Sequence, residues 1–391
     1  MSVSPKLRFP EFDGEWRDNK LKDNISLISG QHLSPEEYSA DGEFPYFTGP
    51  TDFTNDVSEV KKWTSISRSV AASGSILITV KGSGVGEMAQ AQLDNVVIGR
   101  QLMSIEGNKA STGFLYQYLL KKRQLMKALA SGNMIPGLSR ADLFSISVSI
   151  PPLPEQQKIA SFLSSVDKKI DLLRQKKDAL ELYKKDLMQE IFSQEIRFKQ
   201  DDGSDFPDWE EVALGDVLCE RKEFSEKNKG YPHISLTVEG VVPKSERYNR
   251  DFLVKDDDLK KYKVTRLGDI CYNPANLKFG VIDVNRWGDG IFSPIYVTFE
   301  AKCASLDYVG YLVKHASFIN KVRKFEQGTV YERQAVHPEH FIQAIIALPS
   351  LPEQEKIADF LSAVDTKIQN TSSQIEQMES FKKGLLQQMF V

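Results

Sequence analysis

The chain has 391 residues, 41% of them hydrophobic and 27% charged, enough for two globular units of ordinary size and typical of a folded rather than a disordered protein. No apolar run approaches the roughly 18 to 20 residues needed to span a bilayer. MSVSPKLRFPEF lacks the order of a secretory signal, and Cys219, Cys271 and Cys303 form no paired framework, so a reducing cytoplasm is expected and membrane insertion is excluded. The net charge of -4 hides an asymmetry: residues 1 to 60 hold 5 Lys and Arg against 12 Asp and Glu, whereas residues 61 to 150 hold 11 against 4. That second stretch carries a basic field of the kind that attracts a polyanion such as nucleic acid.

The first globular part, residues 1–150, mixes short β-rich runs (ISLISG, SILITV, NVVIG) with a helical stretch, FLYQYLLKKRQLMKAL. A polar loop, SGNMIPGLSR, follows the helix and leads into an apolar strand, FSISVSI. This is an α+β pattern whose loops project from a rigid base. The run GSGVG at Gly82–Gly86 spaces its glycines as GxGxG and no GK[ST] follows, so it reads as a tight turn rather than a nucleotide cradle. A DNA reader needs Arg or Lys for phosphates and guanine edges, Asn or Gln for adenine edges, and Ser, Thr or Tyr for positioning. Arg68, Lys81, Ser83, Asn133 and Arg140 are the candidates here.

Residues 151–195 open on prolines and continue as one long helix. Ile159, Leu163, Val166, Ile170, Leu173, Leu180, Leu187 and Ile191 keep an alternating 4-3 spacing, the signature of a coiled-coil seam. Pro154 and Glu155 supply a pre-set backbone angle and a negative charge to the first turn, both of which favour helix initiation. Lys177 and Lys184 interrupt the seam, as polar residues that fix register commonly do.

The second globular part, residues 196–348, repeats the mixture with DICYN and IYVTFE, the helical YVGYLVKHASFINKVRKF, the loop EQGTVYERQAVHP and the strand FIQAIIALP. Its candidate DNA contacts are Asn273, Asn276, Lys278, Tyr331, Arg333 and Gln334. Asn273-Pro274-Ala275-Asn276 lacks the second proline and the aromatic of an amino-methyltransferase motif. His337 and His340 have no partners completing a zinc set, and Asp256-Asp257-Asp258 reads as a solvated turn. No catalytic, cofactor or metal constellation emerges.

Residues 349–391 form a second long helix that copies the first. PPLPEQQKIASFLSSVDKKI at 151 and PSLPEQEKIADFLSAVDTKI at 349 agree at 15 of 20 positions, and the offset of 198 continues to the last residues. Leu361, Val364 and Ile368 stand over Leu163, Val166 and Ile170, while Thr371 and Lys382 interrupt this seam. Upstream, Leu7-Arg8-Phe9 answers Ile196-Arg197-Phe198 and Trp16 answers Trp209. The chain is a duplication with a pseudo-two-fold repeat: two globular domains joined by two long helices that close on one another as an intramolecular antiparallel coiled coil. Each helix of about 57 Å, at about 1.5 Å per residue, exceeds one turn of duplex DNA at about 34 to 36 Å. The helices keep their sequence while the globular parts diverge, which favours one scaffold with two recognition surfaces over a purely structural duplication.

The two motifs, each closing a variable part and opening a long helix, resemble those of the specificity subunits of type I restriction-modification enzymes, and the resemblance covers the whole chain. It implies target-recognition domains at 1–150 and 196–348, each reading half of a split asymmetric DNA target, and conserved helices at 151–195 and 349–391 that set the gap and dock partners. It further implies double-stranded DNA, two modification (methyltransferase) subunits and two restriction (ATP-dependent translocase and nuclease) subunits as partners. S-adenosylmethionine, ATP and Mg would sit on those partners, with no cofactor and no catalysis in this chain, which would work on DNA in a bacterial cytoplasm. The alternatives are a protein-only coiled-coil scaffold and a self-sufficient DNA methyltransferase or nuclease. The latter would need a complete catalytic motif.

Overall fold

The computed structural model describes residues 4–131, 137–226, 230–244, 261–327 and 335–391. Packing groups the chain into two units: unit 1 comprises Met1–Lys176 with Thr371–Val391, and unit 2 comprises Lys177–Asn370. Both mix sheets and helices, as the α+β pattern requires.

Unit 1 runs through β1 (Arg17–Lys20), β2 (Ile25–Ser29), β3 (Phe44–Phe47), β4 (Trp63–Thr64), β5 (Val70–Ala71), β6 (Ile76–Thr79), β7 (Met88–Gln90), β8 (Val96–Ile98) and β9 (Leu102–Gly107). Then come α1 (Thr112–Lys121), α2 (Arg123–Ala130), α3 (Arg140–Ser145), β10 (Ser147–Ile150) and the start of α4 (Leu153–Phe192). An antiparallel sheet has the order β2-β9-β6-β7, a mixed sheet has the order β4-β3-β8-β5 with β3 and β8 parallel, and β1 pairs antiparallel with β10. β6 is an interior strand, which is why Ile76, Leu77 and Ile78 are apolar without alternation and all buried. Ser111 caps α1 by accepting a hydrogen bond from Phe114 N–H at 3.4 Å, and Phe114, Leu115, Tyr118 and Leu119 enter the core. The helical stretch predicted as one piece divides at Lys122, and Met126 and Ala130 of α2 still reach the same core.

Unit 2 contains β11 (Glu210–Ala213), α5 (Leu214–Val217), β12 (Leu218–Glu220), β13 (Phe224–Glu226), β14 (Ile234–Thr237), β15 (Gly240–Pro243), β16 (Lys261–Thr265), β17 (Ile270–Tyr272), β18 (Ile282–Val284), β19 (Gly290–Phe292) and β20 (Val297–Ala301). α6 (Leu306–Lys314), α7 (Ala316–Val322), α8 (Pro338–Phe341), β21 (Ile345–Leu348) and the start of α9 (Leu351–Met389) follow. The sheet β12-β20-β17-β18 repeats β2-β9-β6-β7 strand for strand, and β11-β21 repeats β1-β10. Divergence is confined to the rest, where β13-β16-β19 and the hairpin β14-β15 stand in place of β4-β3-β8-β5.

Each long helix contributes to both units, and within each unit the two helical segments run antiparallel. In unit 1 Asp167 pairs with Lys382 and Arg174 with Glu379 at 2.5 Å; in unit 2 Lys184 pairs with Asp365 at 2.6 Å. Leu163, Val166 and Ile170 are buried in the first seam, Leu361 and Val364 in the second, with Ile368 half-buried. The interrupting lysines Lys184 and Lys382 are 198 residues apart, and so are their partners Asp365 and Asp167. Each carboxylate takes one more hydrogen bond from its globular part: Gln117 Nε2 donates to Asp167 at 2.8 Å and the Tyr311 hydroxyl to Asp365 at 2.7 Å. Burial, and then the bond to Asp365, raise the Tyr311 pKa and keep the phenol a donor. The interruptions thus tie coil to domain as well as setting register.

The matched PEQ triplets have a second role besides starting helices. Glu155 is fully buried and accepts hydrogen bonds from Arg8 Nε at 2.7 Å, Arg8 Nη2 at 2.8 Å and Trp16 Nε1 at 3.3 Å. Arg197 holds the equally buried Glu353 at 3.2 and 2.9 Å. Gln156 accepts from Ser111 N–H, at the cap of α1, and donates to Pro151 O, both at 2.8 Å; Gln354 does the same with Ser305 and Pro349 at 2.8 Å. The cores close on residues from distant sequence: Leu385, Met389 and Phe390 join unit 1, and Ile191 joins unit 2.

Candidate nucleic-acid interface

In unit 1, strand register brings three chain segments to one end of a sheet. Ser29 of β2 pairs with Met103, and Thr79 of β6 with Leu102, so the segments leaving β2 and β6 meet the one entering β9. Gly30 N–H donates to Leu102 O at 2.9 Å, Val80 N–H to Gln101 O at 2.8 Å and Leu138 N–H to Val80 O at 2.8 Å, and Lys81 bridges Gly137. The Ser69 hydroxyl donates to Ser29 O at 2.9 Å, which sets Arg68 beside them.

Four of the five candidates in this part therefore share one edge. Arg68, Lys81, Ser83 and Arg140 are all exposed there. Arg140 is anchored, donating to Ser29 Oγ at 3.0 Å and Leu27 O at 2.5 Å, while Arg68 approaches Glu37 only to 4.0 Å. Asn133 lies outside the described residues. The same edge exposes Gln31, His32, Arg100 and Gln101, which sequence reasoning did not single out. The signal for Arg100 and Gln101 was the short polar break between the runs NVVIG and LMSIE. Gly82 and Gly86 have φ of +86° and +84°, and a Cβ on Gly84 would stand 2.8 Å from Pro50 Cγ, so this loop turns tightly against its own protein.

Unit 2 presents the same end of its sheet. Tyr272 pairs with Val297 and Glu220 with Phe299, which brings together the segments leaving β17 and β12 and the one entering β20. Val336 N–H donates to Pro274 O at 3.2 Å, the counterpart of Leu138 on Val80. Asn276 is exposed and Lys278 is half-buried, its Nζ lying 5.3 Å from the Phe279 ring centroid. Asn273 is placed differently: it is buried, and its side-chain oxygen accepts from Ala275 N–H at 3.1 Å, which makes it a turn former. Tyr331, Arg333 and Gln334 lie outside the described residues. Phe279 and Ile295 stand out on this edge, 62% and 60% exposed.

The basic and amide side chains on these edges are of the kinds that suit phosphates and base edges. Among the described residues no three His, Cys, Asp or Glu side chains gather to hold a metal ion, and no helix is long and apolar enough to cross a membrane. Each unit also carries a cleft between coil and domain. Tyr116, Asp167, Lys382 and Gln387 line one of about 1210 Å³, and Tyr311, Asp365, Lys184 and Gln189 line one of about 850 Å³.

Comparison with known proteins agrees with this architecture. The chain is similar to the type I restriction enzyme MjaVIII specificity subunit of Methanocaldococcus jannaschii, 25% identical over an alignment of 418 positions that covers 97% of this chain and 92% of that protein. Its fold matches the S subunit of a type I restriction-modification system from M. genitalium, with a TM-score of 0.61, 15% identity and coverage of 100% and 99% of the two chains. A chain from a structural study of complex assembly and conformational transition in the type I R-M system gives a TM-score of 0.55 at 16% identity, covering 95% and 96%. Residues 13–182 and 297–380 match the family model of the type I restriction modification DNA specificity domain, and the chain belongs to that family.

Proposed function

We propose that the chain is the non-catalytic, DNA-reading subunit of a type I restriction-modification complex and that each unit reads one half of a split, asymmetric target. The observation that carries this is a pair of like sheets with unlike tips. Lys81, Arg100 and Gln101 of unit 1 correspond in register to Ala275, Pro294 and Ile295 of unit 2. A constant frame with different tips is what two unlike readings of one duplex require. Arg68, Lys81, Arg100 and Arg140 would hold phosphates, while Gln31, Gln101 and Asn276 suit base edges.

The paired helices would fix the distance between half-sites, and the twin clefts would seat two modification subunits carrying S-adenosylmethionine. Two restriction subunits would add ATP- and Mg-dependent translocation and cleavage, so this chain needs no cofactor of its own. Such a complex works on DNA in the cytoplasm. The test is a genome-wide map of methylated adenines with and without the gene. A bipartite motif that vanishes with the gene is expected, and adding one heptad to both helices should change the gap and leave both half-sites alone. An undivided motif, or altered half-sites after the insertion, would overturn the proposal.

A further inference from the structure

The reading edges of the two units differ in chemistry as well as in detail. Unit 1 offers Lys81, Arg100 and Gln101, whereas unit 2 offers two large apolar side chains to solvent on the loops equivalent to those. We infer that unit 2 reads its half-site partly through Phe279 and Ile295, by apolar contact with the 5-methyl groups of thymine in the major groove. This rests on the DNA-reading role proposed above.

Both side chains are held out by ordered backbone. Phe279 ends a short 3-10 turn, Leu277–Phe279, in which Leu277 is fully buried, and Gly280 closes the turn at φ +77°. Phe279 N–H donates to Asn276 O at 3.0 Å and Gly280 N–H to Leu277 O at 2.9 Å. The residue of unit 1 in the same register, Val85, faces inward and is buried. Ile295 sits between Pro294 and Tyr296, whose ring stacks on Phe292 at 4.9 Å, and its counterpart is the polar Gln101. A single exposed apolar residue needs no explanation. Two of them, on separate loops that strand register brings to the same end of one sheet, give that end an exposed apolar character that the corresponding positions of unit 1 lack.

On a DNA duplex the major groove presents an apolar complement at thymine, through its C5 methyl, while the other bases present only donors and acceptors there. The half-site of unit 2 should therefore contain thymines whose methyl groups matter.

The assembled complex with its modification subunits would be titrated with duplexes carrying the mapped target and one deoxyuridine in place of each thymine in turn. Replacing a contacted thymine should weaken binding about fourfold, the equivalent of ~0.8 kcal/mol for one methyl-sized group. The sensitive positions should all fall in the half-site whose stringency changes on Phe279→Ala. The sensitivity should disappear in the double variant Phe279→Ala, Ile295→Ala and persist in Leu267→Ala, which removes an equally exposed side chain from the opposite end of the sheet. Equal binding to every deoxyuridine duplex, or sensitivity that survives in the double variant, would overturn the inference. A map with no bipartite motif would instead remove the DNA-reading role itself.

Discussion

Arg8→Ala should destabilise unit 1 by about 3 to 5 kcal/mol, because it strands a buried carboxylate. The Glu155 side chain is 1% exposed and would keep only the 3.3 Å bond from Trp16 after losing the 2.7 and 2.8 Å bonds from Arg8. The side-chain hydrogen bonds to Glu155 also raise the pKa of the Arg8 guanidinium, which stays charged. Glu155→Gln should cost less, about 1 to 2 kcal/mol, since the site then holds a neutral acceptor. Replacing both partners with apolar residues, Arg8→Met with Glu155→Leu, should return stability to within about 1 kcal/mol of the parent. With two units in the chain, global melting is a poor measure. Native-state hydrogen exchange resolves them: amides of β1 and β10 should exchange at least about 100-fold faster in Arg8→Ala, with β11 and β21 unchanged as the internal reference. Arg197→Ala should give the mirror result, and more fully, because among the described residues Trp209 Nε1 is buried without a hydrogen-bond partner and only Arg197 donates to the Glu353 carboxylate. Acceleration below about fivefold, or a double replacement as damaging as the single one, would refute the argument.

Three further outcomes follow from other contacts. Reversing Lys184 to Asp should cost unit 2 about 1 kcal/mol, since its partner Asp365 is 42% exposed, and the added Asp365→Lys should recover most of it in the hydrogen exchange of β11 and β21. His315 has its pKa lowered from the ordinary 6.5 by burial. The unfolded chain therefore takes up that proton first as pH falls, stability of unit 2 declines below about pH 6.5, and hydrogen exchange of β11 and β21 followed against pH should show a shallower decline in His315→Gln. Lys81→Ala and Arg100→Ala should each reduce the salt dependence of DNA binding by about 0.9 in the log-log slope, similarly for specific and unrelated duplexes.

The repeat, the two helices and their seam were legible because a 4-3 spacing and a 198-residue offset are properties of order along the chain. Lys184 and Lys382 could be recognised as interruptions for the same reason. The domain residues that bond to their carboxylate partners could not, because Gln117 and Tyr311 approach Asp167 and Asp365 from helices 50 and 54 residues away. The Arg8–Glu155 pair, 147 residues apart, was likewise invisible, and Glu155 read only as a helix-start residue. At that sheet edge of unit 1, Arg68, Lys81, Ser83 and Arg140 were picked out by residue type and loop position. Arg100 and Gln101 were missed because their place at that edge depends on the β6–β9 register, which composition does not reveal. Asn273 shows the converse: a suitable side chain in a suitable loop, turned inward by its own asparagine turn. Phe279 and Ile295 escaped because only polar readers were sought.

Because unit 2 is one uninterrupted stretch, 177–370, while unit 1 needs Leu385, Met389 and Phe390 to fill its core, the two cannot be finished in the order in which they are synthesised. On the ribosome the first 176 residues must wait, with an unfilled apolar gap, until the later unit has been made and residues 371–391 have left the exit tunnel. A premature stop that removes only those last turns would therefore injure the domain that was translated first.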